Sequence, residues 1–231
     1  MVTQDQLKQK AAIRAVEFIE SGMVVGLGTG STTEFAVRRI AERLKAGDLR
    51  DIMAIPSSVR TEKLALEVGM AVVGFVDHPE IDVTIDGADE VDPDLNLIKG
   101  GGGALLREKV LAQASRRNII IVDESKLSPK LGTKWALPVE IIEFACPTEQ
   151  KFLHSLGGSV KLRIKDDGSP FRTDQNNLIL DTNFGQIADP QKLAFRLNER
   201  AGIVEHGLFL GLASDVIVAG KGNIRHLKPS I

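Results

Sequence analysis

Apolar residues are distributed along the chain in two patterns, and the pattern changes near residue 126. Before that position, short apolar runs alternate with segments whose apolar residues recur every three or four positions. Such runs indicate buried strands, and the longer spacing indicates amphipathic helices. The predicted strands are residues 23–27, 52–55, 71–75, 83–86 and 118–122, and the predicted helices are residues 5–20, 31–46, 57–68 and 104–115.

Strands that alternate with helices predict a parallel sheet covered by helices. The run Asn118-Ile-Ile-Ile-Val122 supports this prediction, because a strand buried on both faces is continuously apolar. We therefore expect an α/β fold with a Rossmann-like, mostly parallel sheet.

The second half of the chain predicts a different unit. Its elements follow the order β-α-β-β-α-β, at residues 137–142, 147–156, 160–164, 177–181, 189–199 and 203–210. This is the order of the ferredoxin-like split βαβ unit, which forms a small α+β domain. The apolar run 215–219 suits the first sheet better. We therefore expect a Rossmann-like domain at residues 1–129 plus 206–231, with residues 130–205 inserted as a smaller ferredoxin-like α+β domain.

Composition narrows the functional classes. The chain has 231 residues and a formal net charge of -2, so it has no overall attraction to nucleic acid or to anionic lipid. The four histidines are too scattered for a zinc site, and the single cysteine, Cys146, is expected to be a small buried apolar residue. No apolar run approaches membrane-spanning length. We expect a cytoplasmic protein with no metal and no nucleic-acid or membrane partner.

The segment Gly26-Leu-Gly-Thr-Gly-Ser-Thr32 joins a predicted strand to a predicted helix. Main-chain N–H groups and the helix dipole make such a junction a site for anions, and the hydroxyls of Thr29, Ser31 and Thr32 add donors. The segment lacks the third glycine of a dinucleotide fingerprint and the lysine of a P-loop. A glycine turn with a capping box from Ser31 and Glu34 explains part of the pattern, and phosphate binding explains more of it.

The segment Asp86-Gly-Ala-Asp89 lies at the carboxyl end of another predicted strand. Such positions line the ligand crevice of a parallel sheet. The carboxylates of Asp86 and Asp89 can accept hydrogen bonds from sugar hydroxyls or move a proton, while a solvated turn is the alternative. The three acidic residues that follow are expected to be solvated: Glu90, Asp92 and Asp94.

Lys99 is followed by four glycines and a predicted helix, which gives a second strand–loop–helix junction suited to an anion. Glu108 lies in the second turn of that helix, and a carboxylate near a lysine can act as a base beside an electrophile. Arg107 is expected to be a solvated neighbour. Lys126 is equally compatible with a phosphate contact and with a surface lysine.

Four segments together resemble the type A ribose-5-phosphate isomerases. They are GLGTGST at 26–32, DGADE at 86–90, KGGGG at 99–103 with LREK at 106–109, and DESK at 123–126. They occur in the family's order, and the resemblance covers essentially the full length, including the ferredoxin-like insertion. Each segment alone is weakly specific, but four in register are highly specific. The end of the strand DVIVAG resembles the family less closely.

The resemblance implies interconversion of D-ribose 5-phosphate and D-ribulose 5-phosphate without a metal or an organic cofactor. It implies that Glu108 is the general base, that Lys99 stabilises the enediolate, and that Asp86 helps to open the furanose ring. The implied substrate-binding positions are Thr29, Gly30, Ser31, Thr32, Asp86, Gly87, Ala88, Asp89, Lys99, Gly100, Gly101, Gly102 and Lys126.

The resemblance also implies a homo-oligomer, since dimers and tetramers both occur in the family. We further expect Glu108 to be partly buried. A base works best with a pKa near the working pH, and burial raises the pKa of a carboxyl group.

Two other classes of protein stay open. A coenzyme A transferase or an amino-sugar-phosphate deaminase can use a similar scaffold, although no separate adenine-binding segment is evident. A sugar-phosphate sensor would bind ribose 5-phosphate without converting it, and it would need a DNA-binding module for which the chain shows no spare segment.

Overall fold

The structure is a computed structural model that describes residues 2–229. Over these residues the chain forms six α-helices and fourteen strands. The helices are α1 (Gln4–Val16), α2 (Ser31–Ala46), α3 (Val59–Glu67), α4 (Leu105–Ala114), α5 (Cys146–Ser155) and α6 (Pro190–Asn198). The strands are β1 (Val24–Leu27), β2 (Met53–Pro56), β3 (Ala71–Val72), β4 (Ile81–Gly87), β5 (Glu90–Val91), β6 (Leu97–Ile98), β7 (Ser115–Asp123), β8 (Leu137–Ile141), β9 (Ser159–Leu162), β10 (Leu178–Asn183), β11 (Ile203–His206), β12 (Leu208–Phe209), β13 (Asp215–Ala219) and β14 (Ile224–Leu227).

The chain divides into two compact units. The first contains the described parts of Met1–Ala88, Arg107–Lys126 and Gly211–Ile231, and the second contains Asp89–Leu106 and Leu127–Leu210. Residues 89–106 group with the second unit, where β5 and β6 form a small sheet with β12. The predicted boundaries at 129/130 and 205/206 refer to domains that fold as units. They stay a prediction.

A seven-stranded sheet in the order β14-β13-β7-β4-β1-β2-β3 is the framework of the first unit. The strands from β13 to β3 pair in parallel, and only the edge strand β14 is antiparallel among the described strands of this sheet. The predicted mostly parallel α/β sheet is therefore confirmed. The predicted return of residues 215–219 to this sheet is confirmed too, because β13 pairs with β7.

Apolar side chains cover both faces of this sheet. Val25 packs in a core that includes Val16 of α1 and Ile40 of α2. Val24 packs in a second core with Leu111 of α4. Since consecutive strand residues point to opposite faces, the helices lie on both sides of the sheet.

The sheet of the second unit has the order β11-β8-β10-β9, and every neighbouring pair is antiparallel. Helix α5 follows β8 and helix α6 follows β10. This arrangement confirms the ferredoxin-like prediction. The extra three-stranded sheet β12-β6-β5 was not predicted, because strands of two residues are too short to show a period.

The strand predicted at 203–210 is interrupted at Gly207. The N–H of Gly207 donates to the carbonyl of Pro138 at 2.8 Å, and the carbonyl of Lys99 lies 2.3 Å from where a Cβ would be. A side chain at this position would therefore displace backbone. Cys146 was expected to be buried; it is only partly buried and packs against the apolar core of this unit, where burial raises the pKa of its thiol.

Asp215, at the start of β13, is held by the side chains of Arg117 and His226. Its carboxylate accepts hydrogen bonds from Arg117 at 2.6 and 3.0 Å and lies 2.6 Å from Nε2 of His226. Burial alone would raise the pKa of Asp215, but the hydrogen bonds and charges of Arg117 and His226 outweigh it and hold the pKa below its usual value.

Replacement of Asp215 by asparagine is expected to lower the free energy of unfolding at pH 7 by about 2 kcal/mol, the scale of hydrogen bonds to charged groups. Because the folded pKa is lowered, this stability is fully present above the unfolded pKa and is lost as pH falls through the folded pKa. Urea unfolding at pH 7 and pH 3 checks this, with the exposed Asp94→Asn as control. A difference between wild type and Asp215→Asn that did not shrink at low pH would contradict the assignment.

Candidate active site

The carboxyl ends of β1 and β4 lie side by side at a topological switch point of the first unit. From β1 the chain moves to β2 and β3 on one side, and then returns to β4 on the other. Leu27 of β1 is paired with Ile85 of β4, so the segments 28–32 and 86–88 emerge next to each other. Open α/β sheets bind their ligands at this kind of crevice.

The side chain of Asp86 is buried against the backbone of Gly28. Asp86 is only 2% exposed, and a Cβ on Gly28 would lie 1.9 Å from its Oδ1. This Oδ1 accepts hydrogen bonds from the N–H of Thr29 at 3.2 Å and of Gly87 at 2.7 Å. Gly28 therefore allows a close approach that fixes the carboxylate in one position.

The N-terminus of α2 has no capping hydrogen bond from a side chain. Its N-cap residue is Gly30, whose φ of 125° favours glycine, and Ser31 is the first residue of the helix. The capping box that Ser31 and Glu34 could have formed is therefore not present; Glu34 bonds to Arg38 at 2.9 Å instead. A helix N-terminus without a side-chain cap offers its N–H groups to an anion.

Glu108 and Lys126 are the other predicted site residues of the first unit. Glu108 lies in the first turn of α4, one turn earlier than predicted, and is only 4% exposed. The predicted burial of Glu108 is therefore confirmed. Lys126 is partly buried in a single-turn 3-10 helix, Glu124–Lys126, that follows β7 at the carboxyl edge of the sheet.

The glycine loop that follows β6 is organised around Asp89 in the second unit. Oδ2 of Asp89 accepts a hydrogen bond from the N–H of Gly101 at 2.7 Å, and a Cβ on Gly101 would lie 2.7 Å from the same carboxylate. Gly100 has a φ of 103°, which a side chain would strain. Gly101 and Gly102 are exposed. The loop thus needs its glycines for contact with Asp89 and for its backbone shape.

Lys99 is a buried cation at the start of this loop. The residue is 3% exposed, and its Nζ lies 5.4 Å from the ring centroid of Phe209. The backbone N–H of Lys99 donates to the carbonyl of Gly207 at 2.9 Å. A buried ammonium group held in one place is suited to stabilise negative charge that develops on a substrate.

Arg163 also holds the glycine loop, and the sequence interpretation missed it. Its Nη1 donates to the carbonyls of Gly100 at 2.8 Å and Gly101 at 3.2 Å, while its Nε donates to Asp181 at 2.9 Å. The predicted strand 160–164 was interpreted only as half-exposed. The sequence did offer one indication of this role: Arg163 lies on one predicted strand, and the carboxylate of Asp181 lies on the strand that returns beside it.

Replacement of Arg163 by methionine is expected to lower kcat/KM for the substrate about 10–100-fold, since small displacements of positioning groups can cost up to about 10². The methionine keeps an apolar stem but donates no hydrogen bond to the loop. Steady-state kinetics measures the effect. Asp181→Asn is the control, because it leaves Arg163 able to reach the loop and should cost less. Wild-type kinetics for a folded Arg163→Met would show that the loop does not depend on this residue.

Two acidic residues were wrongly expected to be solvated. Glu90 is 0% exposed and accepts hydrogen bonds from the N–H groups of Gly132 at 2.9 Å and Lys134 at 3.0 Å. Asp92 is buried and accepts from the backbone and side chain of Asn96. Asp94 is exposed as expected, and Arg107 is partly buried. Glu90 and Asp92 are therefore structural carboxylates.

The structure brings together the predicted site residues within each unit. In the first unit Thr29 and Gly87 both bond to Asp86, beside Gly30, Ser31, Thr32 and Ala88, which lie on the two segments at the switch point. In the second unit, Asp89 accepts a hydrogen bond from Gly101 of the glycine loop, and Lys99 directly precedes that loop. Among residues 2–229, no three His, Cys, Asp or Glu side chains are grouped so that they could hold a metal ion. Within the same range, no helix is both long and apolar enough to cross a bilayer.

Comparison with known proteins gives consistent matches. A sequence model of the family "Ribose 5-phosphate isomerase A (phosphoriboisomerase A)" matches residues 53–223. Ribose-5-phosphate isomerase A of Desulfatibacillum aliphaticivorans is 60% identical over 99% of both chains. The enzyme of that name from Chloroflexus aurantiacus is 56% identical over 96% of this chain and 93% of its own.

A solved structure is similar as well. A D-ribose-5-phosphate isomerase in complex with phospho-erythronic acid superposes with a TM-score of 0.96 at 38% identity, covering 98% of this chain and 99% of the other. Both the sequence matches and the structural match extend over the Rossmann-like and ferredoxin-like parts. The chain therefore belongs to the ribose 5-phosphate isomerase A family.

Proposed function

We propose that the chain interconverts D-ribose 5-phosphate and D-ribulose 5-phosphate by proton transfer through a cis-enediolate, with Glu108 as the base. Membership of an isomerase family gives the reaction class. The observation of the structure that supports the residue roles most directly is the switch point. There, an anion-binding helix terminus lies beside the fixed carboxylate of Asp86.

The phosphate group of the substrate is proposed to bind at the N-terminus of α2. The N–H groups of the first turn carry partial positive charge, and the hydroxyls of Ser31 and Thr32 are further donors. Lys126 lies beyond β7 at the same edge of the sheet and is proposed to add a full charge.

Ring opening is proposed to involve Asp86. The cyclic sugar must lose the proton of its anomeric hydroxyl and return it to the ring oxygen before a free carbonyl exists. A carboxylate fixed by two N–H groups can accept and return that proton without reorganising. Gly87, Ala88 and Asp89 are proposed to line the sugar, with Asp89 accepting from its hydroxyls.

Glu108 then transfers the proton that defines the isomerisation. It takes the proton from C2, C1 and C2 become doubly bonded, and the carbonyl oxygen on C1 takes the negative charge. A proton moves from the C2 oxygen to the C1 oxygen, and Glu108 returns its proton to C1, which leaves the carbonyl on C2. One carboxylate serves both carbons, because the proton stays on one face of the cis-enediolate.

Lys99 is proposed to stabilise the enediolate, with Gly100, Gly101 and Gly102 as binding positions. A proton beside a carbonyl is only weakly acidic, so the developing oxygen charge needs a preorganised cation. Arg163 and Asp89 fix the loop that carries these groups. The reaction involves no net oxidation, and the proposed chemistry needs no cofactor.

Exhaustive chelation is expected to leave the activity unchanged, because the Lys99 ammonium group supplies the positive charge that a metal ion supplies in other enzymes. Initial rates before and after dialysis against a chelator measure this, with a zinc enzyme treated in parallel as a control for the chelator. Loss of activity that a divalent ion restores would contradict the metal-free mechanism.

The NMR spectrum of ribose 5-phosphate with the protein tests the proposed function. Signals of the ketose are expected to appear until equilibrium is reached. Binding without conversion would indicate a sensor instead, and acyl exchange with a coenzyme A thioester would indicate a transferase. A solved relative holds phospho-erythronic acid, so we propose that this compound also binds here and inhibits the conversion.

The assembly and location of the protein are further proposals. We propose a homodimer or homotetramer in the cytoplasm, acting on a phosphorylated pentose, without a nucleic-acid or membrane partner. Light scattering coupled to size-exclusion chromatography distinguishes the two assemblies from a monomer.

A further inference from the structure

Four hydroxyl groups converge beside the phosphate loop in the first unit, and only one of them belongs to that loop. Thr29 is the loop residue. Ser57 and Ser58 follow β2, and Thr61 lies in the first turn of α3. Ser57 is 0% exposed, and Ser58 and Thr61 are each 5% exposed. Three hydroxyls buried next to a fourth need an explanation, because buried polar groups require partners.

The hydrogen bonds among these groups run in one direction toward Gly28, and Oγ1 of Thr29 also lies 3.2 Å from Oγ1 of Thr61. Oγ1 of Thr29 donates to Oγ of Ser58 at 2.8 Å, and Oγ of Ser58 donates to Oγ1 of Thr61 at 3.0 Å. The chain ends where Oγ1 of Thr61 donates to the carbonyl of Gly28 at 3.0 Å. Ser57 lies 2.8 Å from Oγ1 of Thr29. Since each hydroxyl has one proton and that of Thr29 goes to Ser58, Ser57 is the donor in this pair.

This chain fixes the peptide unit between Gly28 and Thr29 from both sides. Its carbonyl accepts from Thr61, and its N–H donates to Asp86 at 3.2 Å. The plane of this peptide sets the direction of the backbone that follows. Two side chains outside residues 28–32, those of Thr61 and Asp86, therefore hold the peptide that leads into the N-terminus of α2.

The same geometry changes the role of Thr29. Its N–H is bonded to Asp86 and its hydroxyl proton is bonded to Ser58. Neither donor is directed at a ligand. The hydroxyls of Ser31 and Thr32, in contrast, lie on the first turn of α2, at the helix terminus itself.

We propose that Ser57, Ser58 and Thr61 are positioning residues for the phosphate group of the substrate, and that Thr29 shapes the phosphate loop instead of donating to the phosphate. This inference rests on the proposed function, because it concerns the same anion site. It adds three residues, on β2 and α3, to the set that determines phosphate affinity. It also links the phosphate loop to Asp86 through a single peptide unit.

Thr61→Val is the sharpest test. Valine keeps the volume of threonine and leaves the N–H of Thr61 able to donate to Ser58, so the cap of α3 survives. The variant removes the hydroxyl that donates to the carbonyl of Gly28 and accepts from Ser58, which is the last link of the chain. KM for ribose 5-phosphate and the inhibition constant for inorganic phosphate are both expected to rise roughly 10-fold, the scale of one hydrogen bond, with kcat changed much less.

Matched variants separate positioning from general stability. Thr61→Ser keeps the hydroxyl and should restore the wild-type constants. Thr182→Val makes the same chemical change at a threonine that is 0% exposed in β10, and it should leave both constants unchanged. Should Thr61→Val fail to fold, Ser57→Ala removes the first donor of the chain and should raise the same two constants by a smaller factor.

The role of Thr29 is tested by the double variant Thr29→Val/Thr61→Val. If both residues act through the same chain, the double variant should bind inorganic phosphate about as weakly as the weaker single variant. If the double variant instead lost affinity for phosphate by the product of the two single losses, Thr29 would contact the phosphate directly. That result would overturn this part of the inference.

Titration calorimetry with inorganic phosphate keeps the two proposals distinguishable. A protein that binds phosphate but does not convert ribose 5-phosphate would refute the proposed function and leave the anion site to be tested by Thr61→Val. A protein that converts the sugar, with unchanged KM and phosphate affinity in a folded Thr61→Val, would refute the inference alone. Absence of phosphate binding in the wild type would also refute the inference.

Discussion

Replacement of Glu108 by glutamine is expected to lower kcat for ribose 5-phosphate by about 10²–10⁴-fold, the usual contribution of a general base. Glutamine has nearly the shape of glutamate, but it cannot take a proton from C2. Since Glu108 is 4% exposed in the first turn of α4, no solvent-borne base is expected to replace it efficiently. Steady-state rates, followed by appearance of the ketose, measure the effect.

Glu149→Gln is the matched control for this variant. Glu149 is also a buried helical glutamate, at 2% exposed, and it accepts a hydrogen bond from Arg200 at 3.0 Å. It is not a predicted site residue. This control should lose stability and keep its kcat. Near-wild-type turnover in a folded Glu108→Gln would show that another group moves the proton.

Replacement of Lys99 by methionine is expected to lower kcat by about 10²–10³-fold, comparable to the loss of an oxyanion-hole donor. Lys99 is proposed to act on charge that exists only after the proton has left C2. Its loss should therefore affect kcat and kcat/KM together. Initial-rate kinetics over a range of ribose 5-phosphate concentrations separates the two constants.

Lys126→Met is the comparison for Lys99→Met. A lysine that binds the phosphate group stabilises the substrate and the transition state equally, so its loss should raise KM and leave kcat nearly unchanged. If Lys99→Met also showed only a raised KM, Lys99 would bind the substrate without stabilising the enediolate. Thermal unfolding of both variants checks that the proteins stay folded.

The parts of the fold that could be predicted are those with a strong local pattern. Helix α2 was predicted with its observed bounds, because its apolar stripe is regular and Gly47 ends it in a left-handed conformation. The run 215–219 was assigned to the first sheet because it is apolar throughout. The junction at Lys99 implied a strand where β6 lies, but β5 and the small sheet were missed, since two residues show no period and the pairing with β12 is decided by contacts distant in the sequence.

The candidate site could be predicted where its chemistry is local in the sequence. Asp86, Lys99 and Glu108 stand in short motifs at the ends of predicted strands or the start of a helix. Glu90 and Arg163 could not be assigned correctly, because their partners are remote along the chain. Glu90 bonds to backbone more than forty residues away, and Arg163 reaches a loop about sixty residues earlier.

The serine pair after β2 is a third kind of case. Its position resembles that of the two assigned loops, at the carboxyl end of a strand and before a helix. Hydroxyls at 57, 58 and 61 were therefore a usable signal, but only coordinates show that their protons are directed through Thr29 to the carbonyl of Gly28. The sequence indicated the position of these residues and not their role.

Isomerisation of ribose 5-phosphate in D2O, followed by NMR, tests most directly whether a carboxylate base moves the proton. The proposed mechanism predicts ribulose 5-phosphate that carries deuterium at C1 in part of the molecules, because a proton held by Glu108 can exchange with solvent before its return. The rate of deuterium incorporation should fall in Glu108→Gln as far as the rate of conversion does. Rapid formation of ketose without any deuterium would instead indicate direct hydride transfer and would contradict the account.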